Sequence, residues 1–353
     1  MKVAYIHTSD RILFKRCRRR WGWMSPLKGN LAISQPATYF WLGQGIHFGL
    51  EDFHGYDQYG SPRKALEAFC DACRRTPRLE LPDDWEEALE LGQGMMDYYL
   101  AWLENRDPLK TLWIDGVPQV EVPFEIPLPD EIARSYGYDK VFYAGTFDRV
   151  ATDEFDLSWL VDYKSAIQFQ TGHFPTDSQV GSYIWAGSSL YDRPFQGLIY
   201  QQHRKALPVP PPTLQSGRIS TNKSQNTTRI LYREALLNLY GAIEKAPAGN
   251  VEFLNRLAME EFEEADRFIR RDRISRNAHS VEAEGVKILL EAEEMLNPDL
   301  PLYPNPTRDC SWDCPLLEPC ISLDDGSDWE ASLKGITQPR LEARDEWRAN
   351  LQA

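Results

Sequence analysis

Apolar residues recur along the chain with two spacings, one typical of helices and one typical of strands. Spacings of three and four residues predict amphipathic helices at 8–21, 37–53, 62–76, 83–105, 174–190, 224–247, 251–276 and 280–296. Alternating apolar and polar residues, rich in β-branched and aromatic side chains, predict strands at 117–128, 140–152, 156–166 and 196–207.

The order of these elements predicts the fold class. A helix, three strands, a helix and a fourth strand follow one another, so we expect an α/β fold with a small mixed sheet flanked by helices. We expect one domain over residues 1–322, with a helical insertion at 55–115 and a C-terminal helical region at 224–298. The polar composition of residues 323–353 predicts a mobile tail.

Composition and targeting signals exclude several classes of protein. No apolar stretch approaches the ~20 residues that a membrane-spanning helix needs, and the N-terminus lacks the apolar region of a secretory signal. We therefore expect a cytoplasmic protein with no membrane partner. The phosphate-binding motif G-x-x-x-x-G-K-[ST] is missing from the sequence, so a P-loop motor is not expected.

The net charge at first argues against nucleic acid as a partner. The 353 residues carry a formal charge of −14, and a phosphate backbone repels a negatively charged protein. Positive charge is nevertheless concentrated in residues 11–20, which hold six arginines and lysines. A local basic surface is therefore compatible with the acidic average.

Two carboxylates and a lysine fall at the ends of two neighbouring predicted strands. Asp148 lies in GTFDRV and Asp162 in LVDYKS, with Lys164 two residues further on the same strand face. The turn between these strands is short, so they should pair as a hairpin and bring the carboxylates together. Oxygen ligands of this kind favour Mg²⁺ or Mn²⁺, which suits phosphodiester hydrolysis. A buried Asp–Lys ion pair is the alternative.

Three of the six cysteines lie close together near the C-terminus. Cys310, Cys314 and Cys320 occupy a proline-containing loop, which is typical of a metal site. Three thiolates are one short of the usual four for zinc or an iron–sulfur cluster. The fourth could be Cys17, in the basic segment, or one of the helical pair Cys70 and Cys73. The spacing alone does not choose between zinc and iron–sulfur.

The chain resembles the PD-(D/E)xK nuclease superfamily, and specifically its RecB-like branch, in four motifs that occur in the same order. These are an early helical histidine (His47 in GQGIHFGLE), a G-x-x-D strand (Gly145 to Asp148), a (D/E)-x-K strand (Asp162 to Lys164) and a Q-x-x-x-Y helix (Gln179 to Tyr183). The resemblance implies a nuclease core with this order of helices and strands.

The resemblance also implies roles for individual residues. His47, Asp148, Asp162 and the carbonyl of Tyr163 would be ligands to one or two Mg²⁺ or Mn²⁺ ions. The catalytic set would be Asp148, Asp162, Lys164, Gln179 and Tyr183. Glu121, on the preceding strand, has a supporting counterpart in some members of the family, and an exposed strand glutamate is the alternative.

Several RecB-like nucleases carry one cysteine before the core and three after it, which together hold a [4Fe–4S] cluster. The resemblance assigns Cys17 as the early ligand and Cys310, Cys314 and Cys320 as the late ones, with Zn²⁺ as the alternative metal. The late spacing here is C-x3-C-x5-C, whereas the family usually has C-x2-C-x5-C. Such a cluster would join the N- and C-terminal segments and hold Arg16, Arg18, Arg19 and Arg20 near the DNA.

By family analogy we expect a DNA exonuclease that processes single-stranded or duplex ends in recombination, repair or phage DNA metabolism. A helicase, a recombinase or an annealing protein could be its partner. The alternatives are a nuclease subunit of a helicase–nuclease or CRISPR-integration complex, a non-catalytic DNA-binding protein with a nuclease fold, and a zinc-containing restriction-type endonuclease.

Overall fold

A seven-stranded mixed sheet forms the centre of the protein. The computed structural model describes residues 1–35, 37–55, 60–76, 81–104, 109–191, 193–262 and 267–340. The strands are β1 (Val3–His7), β2 (Leu31–Ile33), β3 (Lys110–Thr111), β4 (Trp113–Ile114), β5 (Val117–Pro118), β6 (Val120–Pro127), β7 (Lys140–Thr152), β8 (Ser158–Ala166), β9 (Phe195–Arg204), β10 (Ile269–Ile274) and β11 (Thr337–Pro339).

The helices pack on both faces of this sheet and at its ends. They are α1 (Thr8–Arg16), α2 (Arg18–Met24), α3 (Thr38–Gly55), α4 (Pro62–Arg75), α5 (Trp85–Leu103), α6 (Asp130–Ser135), α7 (Ser178–Leu190), α8 (Arg229–Tyr240), α9 (Ala248–Phe262), α10 (Ala278–Leu296), α11 (Cys310–Asp313), α12 (Leu317–Asp325) and α13 (Trp329–Ile336). No helix in the described ranges is long and apolar enough to cross a membrane.

The sheet has the order β1-β7-β8-β9-β10. Strands β3 and β6 lie off this path, and each of them also pairs with β7. β1 runs parallel to β7 and β8 runs parallel to β9, while the β6–β7, β7–β8 and β9–β10 pairs are antiparallel. The expected α/β fold with a mixed sheet flanked by helices is therefore confirmed, and so is the hairpin of β7 and β8.

Strand β8 is buried on both faces because helices cover the sheet on each side. Leu160 packs in the core that contains α7 and α10, whereas Val161 packs in the core that contains α3 and α5. Alternate residues of a strand point to opposite faces, so Asp162 belongs to the face of α7. Removing this apolar area from water stabilises the sheet by about 25 cal/mol per Å², which allows it to carry polar residues at its centre.

Two predicted helices differ from the structure. The helix expected at 8–21 is broken at Cys17, whose backbone is extended (φ −161°, ψ 112°), so α1 and α2 are separate. The helix expected at 251–276 ends as α9, and the charged stretch that follows forms β10, an edge strand antiparallel to β9. Residues 263–266 of that prediction lie outside the described residues.

The insertion and the tail also have more structure than expected. Segment 55–115 contains α4 and α5 but also β3 and β4, and residues 56–59, 77–80 and 105–108 lie outside the described part. In the expected mobile tail, α13 buries Leu333 and stacks Trp329 on Trp23, with ring centroids 6.0 Å apart. β11 then pairs with β2. Residues 341–353 of the predicted tail lie outside the described residues.

Candidate metal centre

A gap between two strands places the carboxylates. β8 pairs with β7 only over Arg149–Thr152 on β7 and Ser158–Val161 on β8, so the strands are separate at Asp148 on β7 and from Asp162 onward on β8. In the gap, the main-chain N–H of Tyr163 donates to Asp148 Oδ2 at 2.7 Å. The structure therefore brings Asp148 and Asp162 together at the point where regular pairing ends.

Asp162 is buried and only partly satisfied. Its side chain is 2% exposed, and Oδ1 accepts hydrogen bonds from Lys164 Nζ at 2.8 Å and Gln179 Nε2 at 3.3 Å. Oδ2 is also buried, and no hydrogen-bond partner for it lies within the described residues. Burial raises the pKa of Asp162 to about 6, against the opposing charge of Lys164. A buried carboxylate oxygen in this state favours a bound cation.

His47, Glu121 and Asp148 converge beside this carboxylate. His47 Nδ1 lies 3.7 Å from Glu121 Oε1 and 3.6 Å from Asp148 Oδ2. One ligand atom from each of the three lies within 4.8 Å of the other two. This geometry, made of one imidazole and two carboxylates, suits a divalent metal. Within the described residues it is the single set of three such groups with this spacing.

The charges of this site determine its protonation. Although burial lowers the pKa of His47, the Asp148 and Glu121 carboxylates raise it overall to about 9. Burial also raises the pKa of Asp148, opposed by the charges of His47 and Lys164. A protonated His47 therefore neutralises the acids in the metal-free protein, and it must lose its proton when a metal takes that place.

The backbone of Glu121 is unusual. Its φ of +46° lies in the left-handed region, which costs a non-glycine residue about 1–3 kcal/mol and is concentrated at functional sites. The residue stands on β6 between Val120 and Val122, which pair with Arg149 and Phe147. It thus faces Asp148 across the two strands. Its side chain is 22% exposed, so it is not an ordinary solvent-facing strand glutamate. The sequence indicated it only as an optional residue.

Helix α7 supplies the remaining polar groups. Asp177 caps its N-terminus by accepting from the main-chain N–H groups of Gln179 and Val180, a common start for a helix. The cap fixes the first turn, from which Gln179 reaches Asp162. Tyr183, one turn later, packs edge-on against Phe124 and Phe147. Burial raises the pKa of its phenol. Gln179 is therefore in contact with the Asp162 carboxylate, whereas Tyr183 supports the wall beside it.

Tyr163 lies on the opposite face of β8 from Asp162. Its ring is buried, lies edge-on to His47 with centroids 6.3 Å apart, and is parallel to the His54 ring. Its main-chain N–H bonds Asp148, while the expected metal contact of its carbonyl stays a prediction. The ring therefore connects the candidate metal centre to the core beneath it.

The basic segment around Cys17 is in contact with the C-terminal cysteine segment, and the cluster that the family resemblance implies there stays a prediction. The main-chain N–H of Arg19 donates to Tyr303 O at 3.1 Å, Asn305 Nδ2 donates to Arg16 O at 3.1 Å, and Arg19 Nη1 donates to Cys320 Sγ at 3.3 Å. Cys314 is close enough to the other thiols that Cys310 and Cys17 raise its pKa, after the larger effect of burial. All six cysteines are free thiols. Within the described residues no three of them lie within 4.8 Å of one another.

Three of the four arginines expected to bind DNA are paired within the protein. Arg16 bonds Asp313, Arg18 bonds Glu294, and Arg19 Nη1 lies 2.8 Å from Asp324 Oδ1. These ion pairs partly neutralise the arginines, and they hold residues 16–19 against α10 and the C-terminal segment. Arg20 is half-buried, and its charge acts on Cys314. A DNA-binding role for the four stays a prediction.

The chain matches no protein-family model and no curated protein. Among solved structures, it is similar to one described as "Crystal structure of SSO0001", with 12% sequence identity and a TM-score of 0.24. The match covers 73% of this chain and 75% of that chain. A likeness of this strength carries no argument about fold or function.

Proposed function

We propose that the protein is a metal-dependent deoxyribonuclease that hydrolyses phosphodiester bonds, acting as an exonuclease on DNA ends. One observation carries this proposal: His47, Glu121 and Asp148 converge beside a buried Asp162 whose Oδ2 has no partner within the described residues. The sequence resemblance to RecB-like nucleases supplies the reaction class and the DNA substrate. The proposal therefore rests on motif order together with the geometry of these side chains.

The residues of the site fit a divalent cation. His47, Glu121, Asp148 and Asp162 would hold Mg²⁺ or Mn²⁺, with the Tyr163 carbonyl as a further ligand. When bound, such a metal polarises the phosphate and stabilises charge on the leaving oxygen. Three carboxylates beside one histidine and one lysine leave an excess of negative charge, which a divalent ion offsets.

Lys164 is the group positioned for the chemical step. Its ammonium donates to Asp162 Oδ1. Burial lowers the pKa of Lys164, but the charges of Asp162 and Asp148 raise it overall. It therefore stays protonated, orients a water against the phosphate and offsets charge that develops on the phosphate oxygens. Gln179 shares Asp162 Oδ1 and so fixes the direction in which the free Oδ2 points.

We also propose that Cys17, Cys310, Cys314 and Cys320 hold a [4Fe–4S] cluster, with Zn²⁺ as the alternative. The contacts between residues 16–20 and the segment that begins at Tyr303 support this proposal, because the early and late thiols must meet. The Arg19 guanidinium beside Cys320 Sγ is a further fit, since a hydrogen-bond donor stabilises a thiolate ligand.

Replacing Lys164 by alanine tests the proposed reaction. We expect cleavage of linear DNA in Mg²⁺ or Mn²⁺ to fall by about 10²–10³-fold, as when one electrostatic donor is removed from an active site. The matched control is Lys140→Ala, because Lys140 is an exposed lysine that pairs with Asp130 on the surface. Equal rates for the two variants, or no DNA cleavage by the wild-type protein, would contradict the proposal.

Replacing Glu121 by glycine tests metal binding separately from folding. Because Glu121 has a positive φ, Glu121→Gly relieves backbone strain and should leave the melting temperature of the metal-free protein unchanged or higher. The Kd for Mn²⁺, measured by calorimetry, should rise at least about tenfold for a lost ligand. The control is Glu125→Gly, on the same strand and paired with Ala144, which should lower the melting temperature and leave the Kd unchanged. Unchanged Mn²⁺ affinity in Glu121→Gly would remove Glu121 from the ligand set.

A further inference from the structure

Two aromatic side chains lie exposed at the first turn of α3. Tyr39 is 45% and Phe40 58% exposed, and their ring centroids are 4.4 Å apart with planes tilted by 38°. Neighbouring exposed aromatic rings expose apolar area to water, and exposed apolar patches are typical of binding surfaces. They form a continuous π-surface on the helix that carries His47.

The position of this surface relative to the metal centre follows from helix geometry. Phe40 and His47 are seven residues apart, which is about two turns, so they lie on one face of α3 about 10.5 Å apart along the axis. Gly43 lies between them on that face, and a methyl group there would be 3.3 Å from Ser165 Oγ. Ser165 follows Lys164, so this face of α3 runs past the end of β8 to the metal centre.

A cation lies beside the rings. Lys205 Nζ donates to Tyr39 O at 2.9 Å and is 5.4 Å from the centroid of the Tyr39 ring. The main-chain N–H of Lys205 donates to Ala166 O at 2.8 Å, which places this ammonium at the ends of β8 and β9. An exposed pair of rings next to an ammonium is complementary to bases on a phosphate backbone.

We propose that Tyr39, Phe40 and Lys205 form a binding subsite, the aromatic platform, that holds single-stranded DNA beside the metal centre. Unpaired bases present their π-faces to the rings, whereas the stacked bases of a duplex do not. Lys205 contacts a phosphate of the same strand. The inference rests on the proposed nuclease function and deepens it, because it names an unpaired strand as the form of DNA that enters the site.

Binding without cleavage tests the platform. Anisotropy of a fluorescein-labelled single-stranded oligodeoxynucleotide, measured in EDTA, should show that Phe40→Ala weakens binding at least about fivefold, the effect of one lost stacking contact. Phe40→Trp should bind as tightly as the wild type, and Phe40→Leu should bind as weakly as Phe40→Ala. The matched control is Phe155→Ala, because Phe155 is 75% exposed and lies in the turn at the other end of β8. This control should leave binding unchanged.

Three results would overturn the platform. These are wild-type affinity in Phe40→Ala or Phe40→Leu, an equal loss in Phe155→Ala, and weakening that appears for an RNA oligonucleotide but not for DNA. Because the assay contains no metal, its failure is distinct from failure of the nuclease proposal. The latter is judged from metal-dependent cleavage by the wild-type protein and from Lys164→Ala.

Discussion

Replacing Asp162 by asparagine is expected to abolish DNA cleavage and to raise the stability of the metal-free protein at neutral pH. The buried carboxylate has a pKa of about 6, above the ordinary 3.8, so its ionised form destabilises the folded state by up to about 3 kcal/mol at pH 7. Asparagine keeps an oxygen that accepts from Lys164 but carries no charge to desolvate. The same change removes an oxygen ligand, so activity and stability move in opposite directions.

The pH dependence of this gain has a defined sign. Because the folded-state pKa of Asp162 is raised, the stability associated with its protonation is fully present below about pH 4 and is lost as the pH rises through 6. The stability advantage of Asp162→Asn should therefore be largest at pH 7–8 and disappear towards pH 4. Thermal melting in EDTA across this range measures it.

Asp130→Asn is the control, because the pKa of Asp130 is shifted in the opposite direction from that of Asp162. A hydrogen bond from Lys140 lowers the pKa of Asp130 on the surface, so neutralising it should leave the melting temperature unchanged or slightly lower. A parallel pH profile for Asp162→Asn and the wild type would contradict the assignment of a buried carboxylate whose ionised form destabilises the fold. Retained cleavage would remove Asp162 from the catalytic set.

Replacing Cys17 by serine is expected to remove the proposed iron–sulfur cluster and to cause the second large effect, a loss of stability. A cross-link between Cys17 and Cys310 closes a loop of most of the chain, and the loss of loop-closure entropy in the unfolded state makes such a link worth roughly 6 kcal/mol. The contacts of residues 16–20 with the segment from Tyr303 to Asp324 would then depend on ion pairs at the surface and a few hydrogen bonds, which contribute little. Absorbance near ~400 nm and metal analysis report the cluster, and denaturant unfolding reports the stability.

Cys70→Ser is the matched control for this experiment. Cys70 is a buried core thiol on α4, packed with Phe69 and Trp41, and burial raises its pKa to about 11. The variant should keep the absorbance of the wild type. A colourless wild-type protein with stoichiometric zinc would favour the zinc alternative, and an unchanged spectrum in Cys17→Ser would exclude Cys17 as a ligand.

Local pattern predicted only part of the candidate metal centre. Asp148 and Asp162 follow from strand ends joined by a short turn, whereas His47 and Gln179 were assigned through the family resemblance alone. Glu121 was harder to assign. Its role depends on a positive φ and on its position across from Asp148, and neither is visible in a sequence where an alternating glutamate is typical of an exposed strand.

Strand β10 shows why other elements could not be predicted. Its sequence, IRRDRI, is charged enough to suggest a solvent-exposed helix. In the structure Arg271 is buried, donates to Gln201 Oε1 at 2.5 Å and lies over the Trp102 ring. These partners come from β9 and α5, far away in sequence, so tertiary contacts override the local preference.

The basic segment near the N-terminus illustrates the same limit for charge. Residues 16–20 predict a DNA-binding surface when counted alone, but Arg16, Arg18 and Arg19 pair with Asp313, Glu294 and Asp324. Those acids lie between 276 and 305 residues further along the chain. Pairing of this kind also explains how an acidic protein can contain a strongly basic stretch.

Digestion of end-labelled linear DNA and of covalently closed circular DNA tests the central claim most directly. The wild-type protein in Mg²⁺ or Mn²⁺ should degrade the linear DNA from its ends, leave the circle intact, and lose this activity in EDTA and in Asp162→Asn. Linear DNA left intact by the wild-type protein with each metal, or degraded equally by Asp162→Asn, would contradict the account.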